Sequence, residues 1–231
     1  MTAPAATRAN PFRTRQGCLV LPSILSADFA RLGEECRDAL RAGGDALHVD
    51  VMDGHFVPNL SMGPVVCAAV RRVVPEAFLD VHLMVTDPLH WIGPFAAAGA
   101  DHVQFHAEVA PDPAAIASAI RAEGMTAGVV INPDTPAEAS FDALEHVETV
   151  MLMSVHPGYA GQSFIAEVLR KAPAIRARMR PGQRLMIDGG VSPQNAAACR
   201  DAGCDVLVAA SAIFGAADRS AAIRAMRGPG A

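Results

Sequence analysis

Lysine is nearly absent from this chain. Among 231 residues there is one, Lys171, and it falls inside a helix-like run rather than at the end of a strand-like one. That placement excludes Schiff-base aldol chemistry and pyridoxal-phosphate catalysis on a barrel, which both need a lysine amine at a strand end. It excludes a triose-phosphate isomerase type of site for the same reason. Cysteine occurs five times, with no Cys-x-x-Cys spacing. An odd, scattered set argues against a disulfide framework and for buried or idle thiols in a reducing compartment. No apolar run reaches membrane-spanning length, and no charged-then-apolar leader is present. A net charge of −5 argues against nucleic acid as the main partner. The expected setting is the cytoplasm, with neither membrane nor nucleic acid as partner. Residues 1–17 carry three arginines and no acid. They are expected to form a flexible tail, with organelle targeting as a second use, ahead of one domain at 18–231.

What is present is a regular alternation. The chain is 51% hydrophobic and 19% charged, enough apolar content for a sizeable core. Strand-like runs lie near 19–25, 46–50, 78–84, 102–106, 126–131, 149–154, 184–188 and 205–209. Helix-like runs lie near 28–42, 64–73, 88–98, 113–123, 136–145, 163–179, 193–201 and 218–227. Caps fit several helix starts: Ser26 or Asp28, Asp112-Pro113 and Ser192-Pro193. Glycines 43, 44, 99, 124 and 203 fit helix ends. Eight strand–helix units without a linker predict an α/β fold, a single (β/α)8 barrel. A doubly wound open sheet is the alternative, but the Gly-x-Gly-x-x-Gly of its dinucleotide-binding form is missing.

Polar residues recur at the strand ends. The segments Leu47-His48-Val49-Asp50, Asp80-Val81-His82 and Ile187-Asp188-Gly189-Gly190 each close an apolar run. Residues two apart on a strand share a face, so His48 pairs with Asp50 on one face. Barrel active sites lie at the C-terminal strand ends, where His48, Asp50, His82 and Asp188 would converge. Two imidazoles and two carboxylates suit one divalent ion, with Zn, Fe(II), Co and Mn all acceptable. Met52, Met84 and Met186 share that parity and Met153 ends strand 6, so they read either as core or as an apolar collar. His55, His106 and Glu108 read as pocket wall rather than ligands. Phosphate commonly binds at the loops after strands 7 and 8 of such barrels, here Gly189-Gly190 and Ala210-Ser211.

The same residues resemble a known family. Pro22-Ser23-Ile24-Leu25-Ser26-Ala27-Asp28-Phe29 and His48-Val49-Asp50-Val51-Met52-Asp53-Gly54-His55-Phe56-Val57-Pro58-Asn59 are similar to ribulose-phosphate 3-epimerase. So are Asp80-Val81-His82-Leu83-Met84-Val85, Met153-Ser154-Val155 with Pro157-Gly158, and Asp188-Gly189-Gly190-Val191. The likeness runs from about residue 19 to 215. It implies inversion at C3 of a phosphorylated 2-ketopentose, between D-ribulose 5-phosphate and D-xylulose 5-phosphate, through a metal-stabilised enediolate. Asp50 would accept and Asp188 donate the proton, on opposite faces of the intermediate and from opposite sides of the barrel. His48, Asp50, His82 and Asp188 would hold the metal, without an organic cofactor. The substrate contacts implied are Ser23, His82, the lid Gly158-Tyr159-Ala160-Gly161, Gly189, Gly190, Ala210 and Ser211. The family also suggests a homo-oligomer. The chain departs from the family at His156, at Tyr159-Ala160, at Ala210 and at Val130-Ile131-Asn132-Pro133. These changes keep open another ketose phosphate, such as allulose 6-phosphate, and a barrel that binds a sugar phosphate without turning it over is a further alternative.

Overall fold

The computed structural model describes residues 8–159 and 161–228. Eight parallel strands form one sheet: β1 Leu19–Pro22, β2 Leu47–Met52, β3 Leu79–Met84, β4 His102–His106, β5 Thr126–Ile131, β6 Thr149–Met153, β7 Arg184–Asp188 and β8 Val206–Ala209. From β2 to β8 each strand pairs with the next in sequence, and β1 pairs with β8. A single parallel bridge between Ser23 and His48 joins β1 to β2. The sheet is thus a (β/α)8 barrel, and the open-sheet alternative falls. Period-two alternation splits its residues. Val49, Val81, Val103, Val129 and Leu207 face the helices in one wholly buried cluster. Leu21, Val130, Met151, Met186 and Val208 fill the barrel interior in another. Burying each such side chain contributes about 1.5–3 kcal/mol.

Four helices fall close to expectation: α2 Leu32–Arg41, α3 Pro64–Val73, α4 Pro88–Ala97 and α5 Pro113–Ala122, the helix preceding them being α1 Pro11–Thr14. Asp112 caps α5 by accepting from Ala115 N–H, with Pro113 in its first turn. Asp28 rather than Ser26 caps the first segment, a 3-10 turn ahead of α2. Three expectations need correction. The run at 136–145 is a 3-10 helix, Ala137–Ala143, whose rise of about 2 Å per residue covers more of the barrel wall per residue than an α-helix. The run at 163–179 breaks into a 3-10 helix, Ala166–Lys171, and α6 Ala172–Arg176. Pro173 has no N–H to give and sits in the first turn of α6, where none is needed, so a new helix starts there. Ser192-Pro193 does not open a helix; Asn195 precedes α7 Ala196–Asp201, and its Oδ1 accepts from Ser192 N–H at 2.9 Å. After β8 comes a short helix, α8 Ser211–Phe214, and then α9 Arg219–Arg227.

The expectation of a flexible tail at 1–17 does not describe residues 8–17; residues 1–7 lie outside the described part. Asn10 caps α1 through Phe12 N–H. Phe12 is 2% exposed and lies edge-on to Phe78 and His102, with ring centroids 5.3 and 5.0 Å away. It plugs the N-terminal mouth of the barrel.

Around that mouth runs a ring of acids. Asp45, Asp101, Glu148 and Asp205 each sit just before an even-numbered strand and accept the first-residue N–H region of the strand before it. Their acceptors reach Val20, Leu79, Ala127 and Leu185 N–H at 2.9, 2.8, 2.9 and 2.8 Å. The arm supplies cations to three of them: Arg15 to Asp45, Arg8 to Asp101 and Arg13 to Glu148, at 2.8, 2.6 and 3.1 Å. Arginines in a nominal tail are therefore counter-ions of the barrel floor. Truncating the plug tests its contribution. Phe12→Ala is expected to lower the unfolding free energy by about 3–5 kcal/mol, read from the urea midpoint.

Candidate active site

The site grows from the pleat of β2 and β3. His48, Asp50 and Met52 point inward from β2, and Asp80, His82 and Met84 point inward from β3. Register sets His48 beside Asp80 and Asp50 beside His82. Asp188 closes β7 opposite Met153 of β6. β2 and β7 are separated around the barrel by β1 and β8, so their carboxylates meet across a narrow gap rather than a full diameter.

His48, Asp50, His82 and Asp188 each offer one ligand atom, and those four atoms lie within 4.8 Å of one another. His48 Nε2 and His82 Nδ1 approach Asp50 Oδ1 at 3.2 and 3.1 Å, and both lie 3.8 Å from Asp188 Oδ2. On its other side His48 Nδ1–H donates to Asp80 Oδ2 at 2.7 Å. Its Nε2 is buried without a hydrogen-bond partner among the described residues. An orphaned imidazole nitrogen aimed at two carboxylates fits a divalent cation held by these four groups.

Asp80 is a residue the sequence reading passed over. It shares the face of His82, and that parity was the available signal. A carboxylate behind a ligating imidazole fixes its tautomer and orientation. Asp80 is itself held by Gln104 Nε2 at 2.9 Å. Thr149 Oγ1 in turn donates to Gln104 Oε1 at 3.2 Å and lies 2.9 Å from His102 Nε2. The network needs Gly128, since a Cβ there would sit 2.8 Å from both Gln104 Oε1 and His102 Nε2.

The two aspartates are driven apart in acidity. Burial opposes ionisation of Asp50, but His48 and His82 outweigh it and hold its carboxyl far below the usual range. Burial and then the Asp50 charge push Asp188 up to about 7. Burial lowers His82 to about 4. For His48 burial also disfavours the cation, yet Asp50 and Asp80 raise it well above its ordinary value.

Above the cluster opens a cleft. Met52, Met84 and Met153 line it as an apolar collar, whereas Met186 belongs to the barrel core. Ser23, Gly158, Tyr159, Gly161, Gly189, Gly190, Ala210 and Ser211 are on its wall. Ser23 Oγ donates to Asp50 Oδ2 at 2.5 Å. His82 lies beneath the wall, fully buried. Ala160 falls outside the described residues. Gly189 and Gly190 have φ of +114° and +63°, and a Cβ on either would meet backbone at 2.8 Å, so the loop after β7 requires glycine twice. The loop after β6 is tied to the loop after β2. Asn59 Nδ2 donates to Gly158 O at 2.7 Å and Tyr159 Oη–H to Pro58 O at 3.0 Å. His156 is exposed and lies 3.7 Å from Asp134, off the cleft wall. Lys171 turns its ammonium onto the carbonyls of Asn132, Pro133 and Thr135, bracing the loop after β5.

His55 is not on the cleft wall; its N–H donates to Asp53. His106 and Glu108, set aside as pocket wall, instead stand behind His82. His106 Nε2 is 2.8 Å from His82 Nε2, and His106 Nδ1 is 3.2 Å from Glu108 Oε2.

Removing the charge behind His48 tests its supporting role. Asp80→Asn is expected to weaken divalent-ion affinity by about 10–100-fold with the fold kept, measured by titrating cobalt(II) into the metal-stripped protein.

Comparison with known proteins adds sequence relatives to this geometry. A model of the ribulose-phosphate 3 epimerase family matches residues 19–214. The ribulose-phosphate 3-epimerase of Mycobacterium tuberculosis is 47% identical over 214 residues, covering 91% of this chain and 92% of that protein. That of Bacillus subtilis is 45% identical over 213 residues, covering 90% and 98%. That of Candida glabrata is 36% identical over 224 residues, covering 90% and 91%. Among solved structures, a 3-hexulose-6-phosphate synthase superposes with a TM-score of 0.64 at 20% identity, covering 91% of this chain and 98% of the other. KGPDC from Streptococcus mutans gives 0.66 at 15%, covering 91% and 96%. At such identities these two share the fold alone.

Proposed function

The chain belongs to the ribulose-phosphate 3-epimerase family, isomerases acting on phosphorylated sugars, and on that premise we propose that it inverts C3 of D-ribulose 5-phosphate and D-xylulose 5-phosphate. The observation that carries this reading is the Asp50–Asp188 pair at the base of the cleft, two carboxyls from different strands brought together with His48 and His82 so that one ligand atom of each lies within 4.8 Å of the others. Inversion needs a base on one face of C3 and an acid on the other, because one group on one face returns the starting epimer. Two carboxyls that reach one cleft from different strands are suited to those two roles. Asp50, fixed by Ser23 and by its histidine neighbours, takes the C3 proton. Asp188 delivers a proton to the other face, and the roles exchange in the reverse direction.

His48, Asp50, His82 and Asp188 would hold a divalent ion, which would supply Lewis-acid stabilisation of the charge that develops on the substrate oxygens. The donor set accepts Zn, Fe(II), Co or Mn. The methionine collar and the loop at 156–162 keep water from the reacting carbon. Backbone N–H groups around Gly189-Gly190 and Ala210-Ser211 bind the phosphate. The departure at His156 is off the cleft wall, whereas Tyr159 and Ala210 line it; the choice of the pentulose phosphate over allulose 6-phosphate rests on the 47% identity to a ribulose-phosphate 3-epimerase. We carry the homo-oligomer and the cytoplasmic setting forward as parts of this proposal.

Three outcomes are expected. In a panel of ribulose, xylulose and allulose phosphates, the pentulose phosphates give the highest kcat/KM for C3 epimerisation; preference for the hexulose would replace the assigned substrate. Asp188→Asn lowers kcat by about 10²–10⁴-fold with an unchanged circular dichroism spectrum; near-normal turnover would sink the two-aspartate scheme. Chelator-stripped protein loses activity and regains it with a divalent ion, as followed by a coupled assay, and full activity in a verified metal-free sample would remove the ion from the reading.

A further inference from the structure

A neutral imidazole has one N–H and one lone pair, and the neighbour of one nitrogen decides the state of the other. His48 meets the carboxylate of Asp80 directly at Nδ1, which leaves the Nε2 lone pair for the cluster. His82 has the reverse orientation. Its Nδ1 faces Asp50, and its Nε2 lies 2.8 Å from Nε2 of His106. Two imidazole nitrogens at that distance share one hydrogen, carried by either ring.

The far side of His106 decides which. Its Nδ1 lies 3.2 Å from Glu108 Oε2. A carboxylate only accepts, so His106 Nδ1 carries the hydrogen and His106 Nε2 must accept. His82 Nε2–H is then the donor, and His82 Nδ1 is left with a lone pair 3.1 Å from Asp50 Oδ1. The opposite assignment would set a lone pair of His106 against Glu108 with nothing between them to relieve it, whereas the His82 lone pair that faces Asp50 at 3.1 Å is relieved by a cation in the cluster. Glu108 is in turn held in place. Its Oε1 accepts from Asn132 N–H at 2.8 Å and from the Thr135 hydroxyl. Lys171 grips the carbonyls of the same loop. Phe56 covers His106 at a ring distance of 4.6 Å.

We infer that His106 and Glu108 are positioning residues that fix the tautomer of His82, so that its Nδ1 lone pair faces the four-residue cluster. This rests on the reading of that cluster as a cation site and extends it. Each ligating histidine then has its own carboxylate: Asp80 directly behind His48, Glu108 one imidazole removed behind His82. Two lone pairs aimed at two carboxylates repel unless a positive charge lies among them, so either a proton on His48 Nε2 or a bound cation has to sit there, and a cation takes the place of that proton.

The experiment reads tautomers and cation affinity, not turnover. Nitrogen-15 NMR of histidine side chains in the metal-stripped full-length protein is expected to show His82 as the Nε2–H form. In Glu108→Gln, His82 is expected to become a mixture of tautomers, and the dissociation constant for cobalt(II) to rise by about 10–100-fold. Glu108→Asp is expected to recover part of both. Urea midpoints check that the variants fold. An Nδ1–H tautomer of His82 in the native sequence, or an unchanged tautomer and cobalt affinity in Glu108→Gln, overturns the inference. If the native protein binds no cobalt, the cation reading fails, while the Nε2–H tautomer and its loss in Glu108→Gln still support the relay.

Discussion

A buried imidazole must satisfy two nitrogens at once, and the site depends on how the barrel meets that demand. At the top of the interior, His48 and His82 are wholly buried. Water does not reach either ring, so protein groups must take one nitrogen of each. Asp80 takes Nδ1 of His48 and His106 takes Nε2 of His82. What remains faces Asp50 and Asp188. The candidate cation site is in this sense the residue of the hydrogen-bond accounting. Its four donors converge because their other contacts are already committed.

That accounting extends down the barrel axis. Asp80 is held by Gln104, Gln104 is bonded by Thr149, and Thr149 contacts His102, whose ring meets Phe12 at the floor. A polar column of this kind is costly when incomplete, because unpaired groups in low dielectric lose their hydration without return. Gly128 leaves room for it, and the Phe12 plug keeps the floor dry. The ring of acids at Asp45, Asp101, Glu148 and Asp205 secures the strand starts. Chemistry at one end of the barrel thus rests on rigidity supplied from the other.

The loops divide differently. Gly189 and Gly190 adopt φ that only glycine accepts readily, and their close packing on Val155 and on the backbone of Gln162 and Phe164 shapes the cleft floor. The loop after β6 is pinned to the loop after β2 through Asn59 and Tyr159. The hydroxyl of Tyr159 and the outward His156 show that two departures from the family pattern have different reach: one joins the cleft wall, the other faces solvent beside Asp134.

Much of this was legible in the chain itself. Apolar runs located all eight strands to within a few residues, since a strand buried on both faces reads as a run rather than an alternation. The four ligand-type residues followed from their places at strand ends, because parity and the barrel rule together leave them one place to point. Helix-like runs placed α3 and α4 closely, and the Asp112-Pro113 cap did so for α5. Local sequence did not reveal the break at Pro173 within a longer amphipathic run, or the 3-10 form of 137–143, because periodicity alone does not distinguish these. It also did not reveal the docked arm, Asp80, or His106 with Glu108. Their roles are relations between residues distant in the chain: Phe12 with His102, His48 with Asp80, His82 with His106. Residue type and spacing determined which groups could do chemistry and at which end of the barrel. Strand register and packing decided which nitrogen of each histidine faces the cleft, since a hydrogen has to be given to whichever acceptor the fold brings within reach.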